Sequence, residues 1–343
     1  MIEMNKSYSI IILLLLLFAC EFSINTETTY TSTTNTRIDK TIKDEIKDEL
    51  NNLNDSLVKA LDENDLSYLY KVSSEELIES DSARFEGLIF QFSEVLDTSA
   101  YTIFHQTHTK TSEPYLNIAI NFANNKNDTA DFKLNYQNSC KESVTNLLLV
   151  DCTRGQYLVT VIYGKQEGDF IMYYLHMSKY QSNGINLPNY YSLAKTDYEK
   201  GELLHSFALI QQAKEVQYPG GDIFRYAIDS SFNALADTIT EDVTVMLDLP
   251  LTVNQMASSP QIYALGMAPY QHVLFPSITY VTQLNFENDK ALANECDEIF
   301  TRIDEILPGF TIDFDIVLFS VLSEMPAEGI TVQQRNYLKT LKE

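Results

Sequence analysis

The chain has 343 residues, 48 of them acidic against 24 basic, for a net charge of -24, with 45% hydrophobic residues and no tryptophan. Such a composition describes a folded acidic protein with room for two domains and excludes collagen, coiled coil and wholesale disorder. The charge argues against nucleic acid as a partner, because phosphate backbones are held by clustered Lys and Arg. Glycine is scarce at 11 residues, and no GxGxxG, GxxxxGK, GxSxG, HExxH or CxxC motif is present.

At the N-terminus Ile10 to Phe18 form an apolar run that follows Lys6 and stops at Ala19-Cys20. This is the charged, apolar, then small-residue order of a secretory signal, and the run falls short of the roughly 20 residues a spanning helix needs. Leu17-Phe18-Ala19-Cys20 resembles the lipobox of bacterial lipoproteins, although Phe18 departs from the small or Val-like residue usual before the Ala. The resemblance implies a signal peptide over 1–19, acylation of Cys20 and a lipid anchor in the cell envelope, with the body in the periplasm or at the surface; the outer membrane is favoured over the inner, and the choice between them stays open. Residues 20–37 are Thr-rich and read as a tether. In an oxidising compartment Cys140 and Cys152, flanking an expected strand, are the disulfide candidate, with two separate thiols as the alternative. Cys296 is expected to stay free. No metal-ligand spacing joins the cysteines, and neither a metal nor a cofactor is expected.

From Ile38 apolar residues recur at Ile42, Ile46, Leu50, Leu53, Leu57 and Leu61, the spacing of one helical stripe. A short piece holds Leu66, Leu69 and Tyr70, Ser73-x-x-Glu76 reads as a capping box, and another helix is expected from Ser82 to Leu96. Strands follow at about 101–110, 115–123, 130–138, 144–151, 156–165 and 169–179, with turns at Asn124 to Asp128 and Lys165 to Asp169. Helices then antiparallel strands predict an α+β cone-like domain over 38–182, the long helix covering one face of a curved sheet. The order of elements, with the early helices from Ala60 to Leu77 and the hairpin from Tyr157 to Lys179, resembles over 39–180 the cone fold of the nuclear transport factor 2 superfamily.

A helical segment is expected over 183–239, with helices near 189–199, 201–216 and 222–237. Ala194, Gly201, Ala213 and Pro219 give residues 189–219 a resemblance to a tetratricopeptide unit, of which one is visible. A small α/β domain is expected over 240–343: strands near 242–249, 261–267 and 277–284, a helix from Asn288 to Leu307, a strand from Thr311 to Leu322 and a final helix capped by Thr331-x-x-Gln334.

Chemistry-bearing residues are few. His105 and His108, three apart on an expected strand, point to opposite faces and do not suggest a shared site. His176 shares strand parity with Phe170, Met172 and Tyr174 and is the one acid/base candidate; no catalytic residue is assigned. Tyr173, Tyr174, Tyr180, Tyr190, Tyr191 and Tyr198 cluster at the junction of the two regions, which suits packing between them. Asp297, Glu298, Asp304, Glu305, Asp313 and Asp315 lack calcium-loop spacing and read as a solvated face. The sequence therefore points to a membrane-anchored envelope lipoprotein that binds other envelope proteins without catalysis. The alternative is a small-molecule binder or acid/base enzyme using a pocket of the cone-like domain.

Overall fold

The computed structural model describes residues 34–80, 82–122, 131–152, 155–270, 273–310, 316–327 and 331–340. The signal, Cys20, the turn at Asn124 to Asp128, and Asp313 and Asp315 lie outside them. The protein is α+β, as its sequence implies, and its described residues form three sheets.

The first sheet has the order β1-β2-β5-β6-β7, formed by Thr34–Ile38, Leu96–Thr111, Glu142–Cys152, Gly155–Gln166 and Asp169–Ser182, all antiparallel. Residues 34–37, expected to belong to the tether, are instead the edge strand β1, whose backbone finds partners from Thr107 to Thr111. Four helices cover one face: α1 (Asp44–Asp62), α2 (Leu66–Val72), α3 (Glu75–Ser80) and α4 (Ser82–Ser93). The α1 stripe Leu50, Leu57 and Leu61 is fully buried with Ile89 and Phe92 of α4 against Val144, Leu148, Val159 and Val161. The cap of α3 sits one residue later than the sequence suggests: the Leu77 amide donates to Ser74 Oγ at 3.2 Å, while Ser73 Oγ donates back to the Leu69 carbonyl at 2.7 Å. Ser74 also docks the helices on the sheet, its amide donating to the Met172 carbonyl at 2.8 Å.

The hairpin β3 (Leu116–Phe122) and β4 (Phe132–Asn138) leaves this sheet and pairs with β8 (Phe224–Tyr226), a strand from far along the chain. The expected single run of antiparallel strands is thus divided between two sheets. Ile118, Ile120, Leu134 and Phe224 face Leu147, Leu158 and Ile162 of the first sheet in one core. That core continues through α5 (Leu187–Lys200), α6 (Leu203–Glu215) and α7 (Asp229–Leu247) into the third sheet. Asn186 caps α5 by accepting from the Asn189 amide, and Gly201 ends it at φ 85°, the left-handed C-terminal conformation glycine favours.

Three expectations in the later region are corrected. Phe224–Tyr226, expected inside the helix near 222–237, is instead the strand β8, and that helix starts at Asp229. Thr238 to Leu247, read partly as a strand, continues α7, because Phe232, Ala236, Ile239, Val243 and Leu247 are buried at helical spacing. Burial of that stripe outweighs the strand preference of its Thr and Val residues. Gln334–Thr340, expected as a helix, is the strand β13, paired along its length with β12 (Ile316–Leu322). The third sheet has the order β13-β12-β11-β10-β9, with β9 at Leu251–Thr252, β10 at Gln261–Tyr270 and β11 at Val273–Val281. Strands β11 and β12 run parallel, and the chain between them forms α8 (Asp289–Thr301) and α9 (Ile303–Ile306).

Cys140 and Cys152 are not joined. Cys152 ends β5 and Cys140 stands two residues before its start, and the extended strand between them, at about 3.3 Å per residue, holds them roughly 30 Å apart, far beyond disulfide reach.

Candidate functional site

Strand β7 is an edge of the first sheet, bridged at Met172 by Ser73 and Ser74 and with no strand beside it past that point among the described residues, and two irregularities delimit its central part. The ladder with β6 slips at Tyr173 and again at Tyr180, leaving Tyr174 to Lys179 as a regular stretch between two bulges. A bulge reverses the alternation of faces. The parity that groups His176 with Phe170 and Met172 therefore fails at Tyr173. Phe170, Met172, Leu175 and Met177 share the face under the helices, whereas Tyr174 and His176 turn to the other side, against Gly220 and Gly221.

Along this edge runs a groove of about 990 Å³. Leu77 of α3 with Phe85 and Leu88 of α4 form an apolar wall beside Leu175. Tyr174, His176 and Ser178 form the strand side, and Lys214, Tyr218, Asp222 and Arg225 form the far wall. Because residues from both faces of β7 contribute, the groove straddles the strand and includes its outer edge.

The far wall is built by the turn after α6. Tyr174 Oη donates to the Gly220 carbonyl at 3.1 Å. Gly221 has φ 66°, and a Cβ there would lie 2.6 Å from Tyr174 Oη and 2.9 Å from His176 Nδ1, so only glycine lets the turn approach this closely. The Arg225 guanidinium donates to the Gly221 carbonyl at 2.8 Å and lies over the Tyr218 ring at 4.8 Å. Burial raises the Tyr174 phenol, which stays protonated as a donor. Glu215, which also lines the groove, forms an ion pair with Lys179 at 2.8 Å. Lys214 is exposed on the rim.

The other histidines lie elsewhere. His105 Nδ1 is 2.8 Å from Asp39, and His108 Nε2 is 3.0 Å from Glu142, which also pairs with Lys110. The two do not share a partner. For Asp39, burial acts to raise the carboxyl, but the hydrogen bonds from His105 and the Gln106 amide outweigh it and hold the group below its ordinary value. Glu142 is likewise lowered against its burial, by Lys110 and His108.

Cys140 borders a second cavity of about 180 Å³ with Tyr173. Its sulfur packs on Gly164, where a Cβ would lie 2.6 Å from Sγ. Burial and the adjacent thiol push the Tyr173 phenol up to about 12. Cys296 is buried in α8, 3.3 Å from Tyr280 Oη, and burial raises its thiol to about 11. Tyr180 and Tyr190 are core residues, the latter donating to the Ser182 carbonyl, and Tyr198 Oη donates to Asp242 at 2.6 Å. Asp297 pairs with Lys339 at 2.7 Å, and Glu298, Asp304 and Glu305 are exposed.

Sequence reasoning singled out His176 and Tyr174 but missed Lys214, Tyr218, Gly221 and Arg225. The signal available was Tyr218-Pro219-Gly220-Gly221, a turn rich in glycine in a glycine-poor chain. Among the described residues no helix is long and apolar enough to cross a membrane, and no group of His, Cys, Asp and Glu is placed to hold a metal ion. No protein-family model, curated protein or solved structure matches this chain.

Proposed function

We propose that this protein is an envelope lipoprotein, acylated at Cys20, whose folded body is a binding module for an extended segment of another envelope protein. The observation that supports this reading is the groove straddling the edge of β7. A strand edge presents unpaired amides and carbonyls, and a peptide laid along it gains main-chain hydrogen bonds while its side chains alternate between the two walls. One set would pack on Phe85, Leu88 and Leu175. The other would meet Tyr174, His176 and a rim on which Lys214 and Arg225 stand beside Glu215 and Asp222, which favours a polar side chain on that side.

The test is photo-crosslinking in the native envelope from a reactive group placed at Leu88, compared with one on the exposed Lys59 of α1. A discrete protein adduct from Leu88 alone, reduced at least tenfold by Lys214→Glu, supports the reading. Equal labelling from both positions overturns it.

The position of His176 in the same groove supports a second reading, a small-molecule binder using imidazole chemistry. It predicts that His176→Ala abolishes ligand-dependent thermal stabilisation by metabolite-sized compounds. Strand addition predicts an adduct at Leu88 that survives this substitution.

A further inference from the structure

Exposed sheet edges invite pairing with other chains, and folded proteins guard them with charge, proline, bulges or short length. Most edges of this protein are guarded. Strand β1 carries Arg37, β13 carries Arg335 and Lys339, and β8 is three residues long with Arg225. Strand β9 has two residues, and beyond it β10 is bulged near Tyr263 and holds Pro269. Strand β7 has two bulges and Lys179, which leave only the short stretch from Tyr174 to Ser178 to take a peptide.

The outer edge of β3 has none of these devices. Its seven residues pair with β4 in unbroken register, from Leu116 with Asn138 to Phe122 with Phe132, and no strand lies on its other side among the described residues. It contains no charge, proline or glycine. Burial alternates cleanly: Ile118, Ile120 and Phe122 face the core, while Asn117, Ala119 and Asn121 are exposed.

The sequence of the strand is also a mirror. Read outward from Ala119, Ile118 matches Ile120, Asn117 matches Asn121, and Leu116 matches the equally apolar Phe122. An antiparallel strand of the same sequence, placed by a two-fold axis through Ala119, would set Ile against Ile on the inner face and Asn against Asn on the outer face. Charge supports the same occupant. A chain of net charge -24 meets its own copy at least cost where carboxylates are absent, and residues 114–125 contain no charged side chain.

We propose that β3 is a self-association edge: two copies pair strand to strand about Ala119, joining their three-stranded sheets into one sheet of six strands. The contact is isologous, with each Asn117 facing the partner's Asn121 and the two Ala119 residues facing each other.

Sedimentation equilibrium of the full chain in density-matched detergent tests this with two single variants. Ala119 is exposed, so Ala119→Lys and Ala119→Glu should fold as the parent does, verified by circular dichroism. The parent is expected to be a dimer, and each variant alone should weaken association at least tenfold, because like charges then oppose each other directly. Mixing the two variants should restore the dimer. A monomeric parent, variants that associate like the parent, or a mixture that stays monomeric would each overturn the pairing.

Discussion

Asp39 and Glu142 fasten the edge of the first sheet through single carboxylates, one on each of two histidines. Both titrate lower in the folded chain than their ordinary values of 3.8 and 4.5. Their contributions to stability are therefore complete above those values and are lost as pH falls through the lower folded values. Chemical denaturation between about pH 6 and pH 3 should show the midpoint falling in acid, and Asp39→Asn should flatten part of that fall. Gly164 gives a second prediction at this scale. A methyl there would meet Cys140 Sγ at 2.6 Å and Tyr173 Cε2 at 2.9 Å, so Gly164→Ala should cost about 1–3 kcal/mol in a urea titration. The need for that glycine was not visible in the sequence, because the cysteine that fills its space comes from the preceding strand's approach.

Helices carried by a single apolar stripe were legible: the α1 stripe from Ile46 to Leu61 falls where the spacing puts it, since period and burial agree. The C-terminal half of α7 was not, because Thr238, Thr240, Val243, Thr244 and Val245 favour extended backbone locally and only the surrounding core selects the helix. Ile239, fully buried on that stripe, should cost about 2–5 kcal/mol when cut to alanine, readable as a loss of thermal stability. The candidate site was half legible for a related reason. Strand parity named His176 and Tyr174 as neighbours, but the bulge at Tyr173 decides which wall they face, and a bulge leaves no mark in the alternation of apolar residues. The wall opposite them comes from a turn some forty residues later, which no local pattern connects to β7.

Across the whole molecule, the second sheet joins residues on both sides of position 183, where the sequence suggests a boundary. Leu134 and Phe224, both fully buried, meet in this sheet, and their core runs on into α5, α6 and α7. A fragment of residues 34–182 is therefore expected to lack a cooperative thermal transition, whereas residues 34–343 should melt in a single one. Scanning calorimetry of the two would decide: a sharp transition in the fragment would show that the first sheet and its helices suffice alone. Fold class was readable at this scale from the succession of helices and strands. The joining of early and late segments was not, since β8 is three residues long and carries no pattern of its own.

The pairing of β4 with β8 also sets an order in time. Phe132 to Leu134 leave the ribosome some ninety residues before Phe224 to Tyr226, which at about 5–20 residues per second is an interval of roughly 5–20 s. During that interval the hairpin of β3 and β4 exists with both of its edges open and its apolar face waiting for α5, α6 and α7. A nascent chain halted before Tyr226 should bind a holding chaperone, and one extended past the end of α7 should release it.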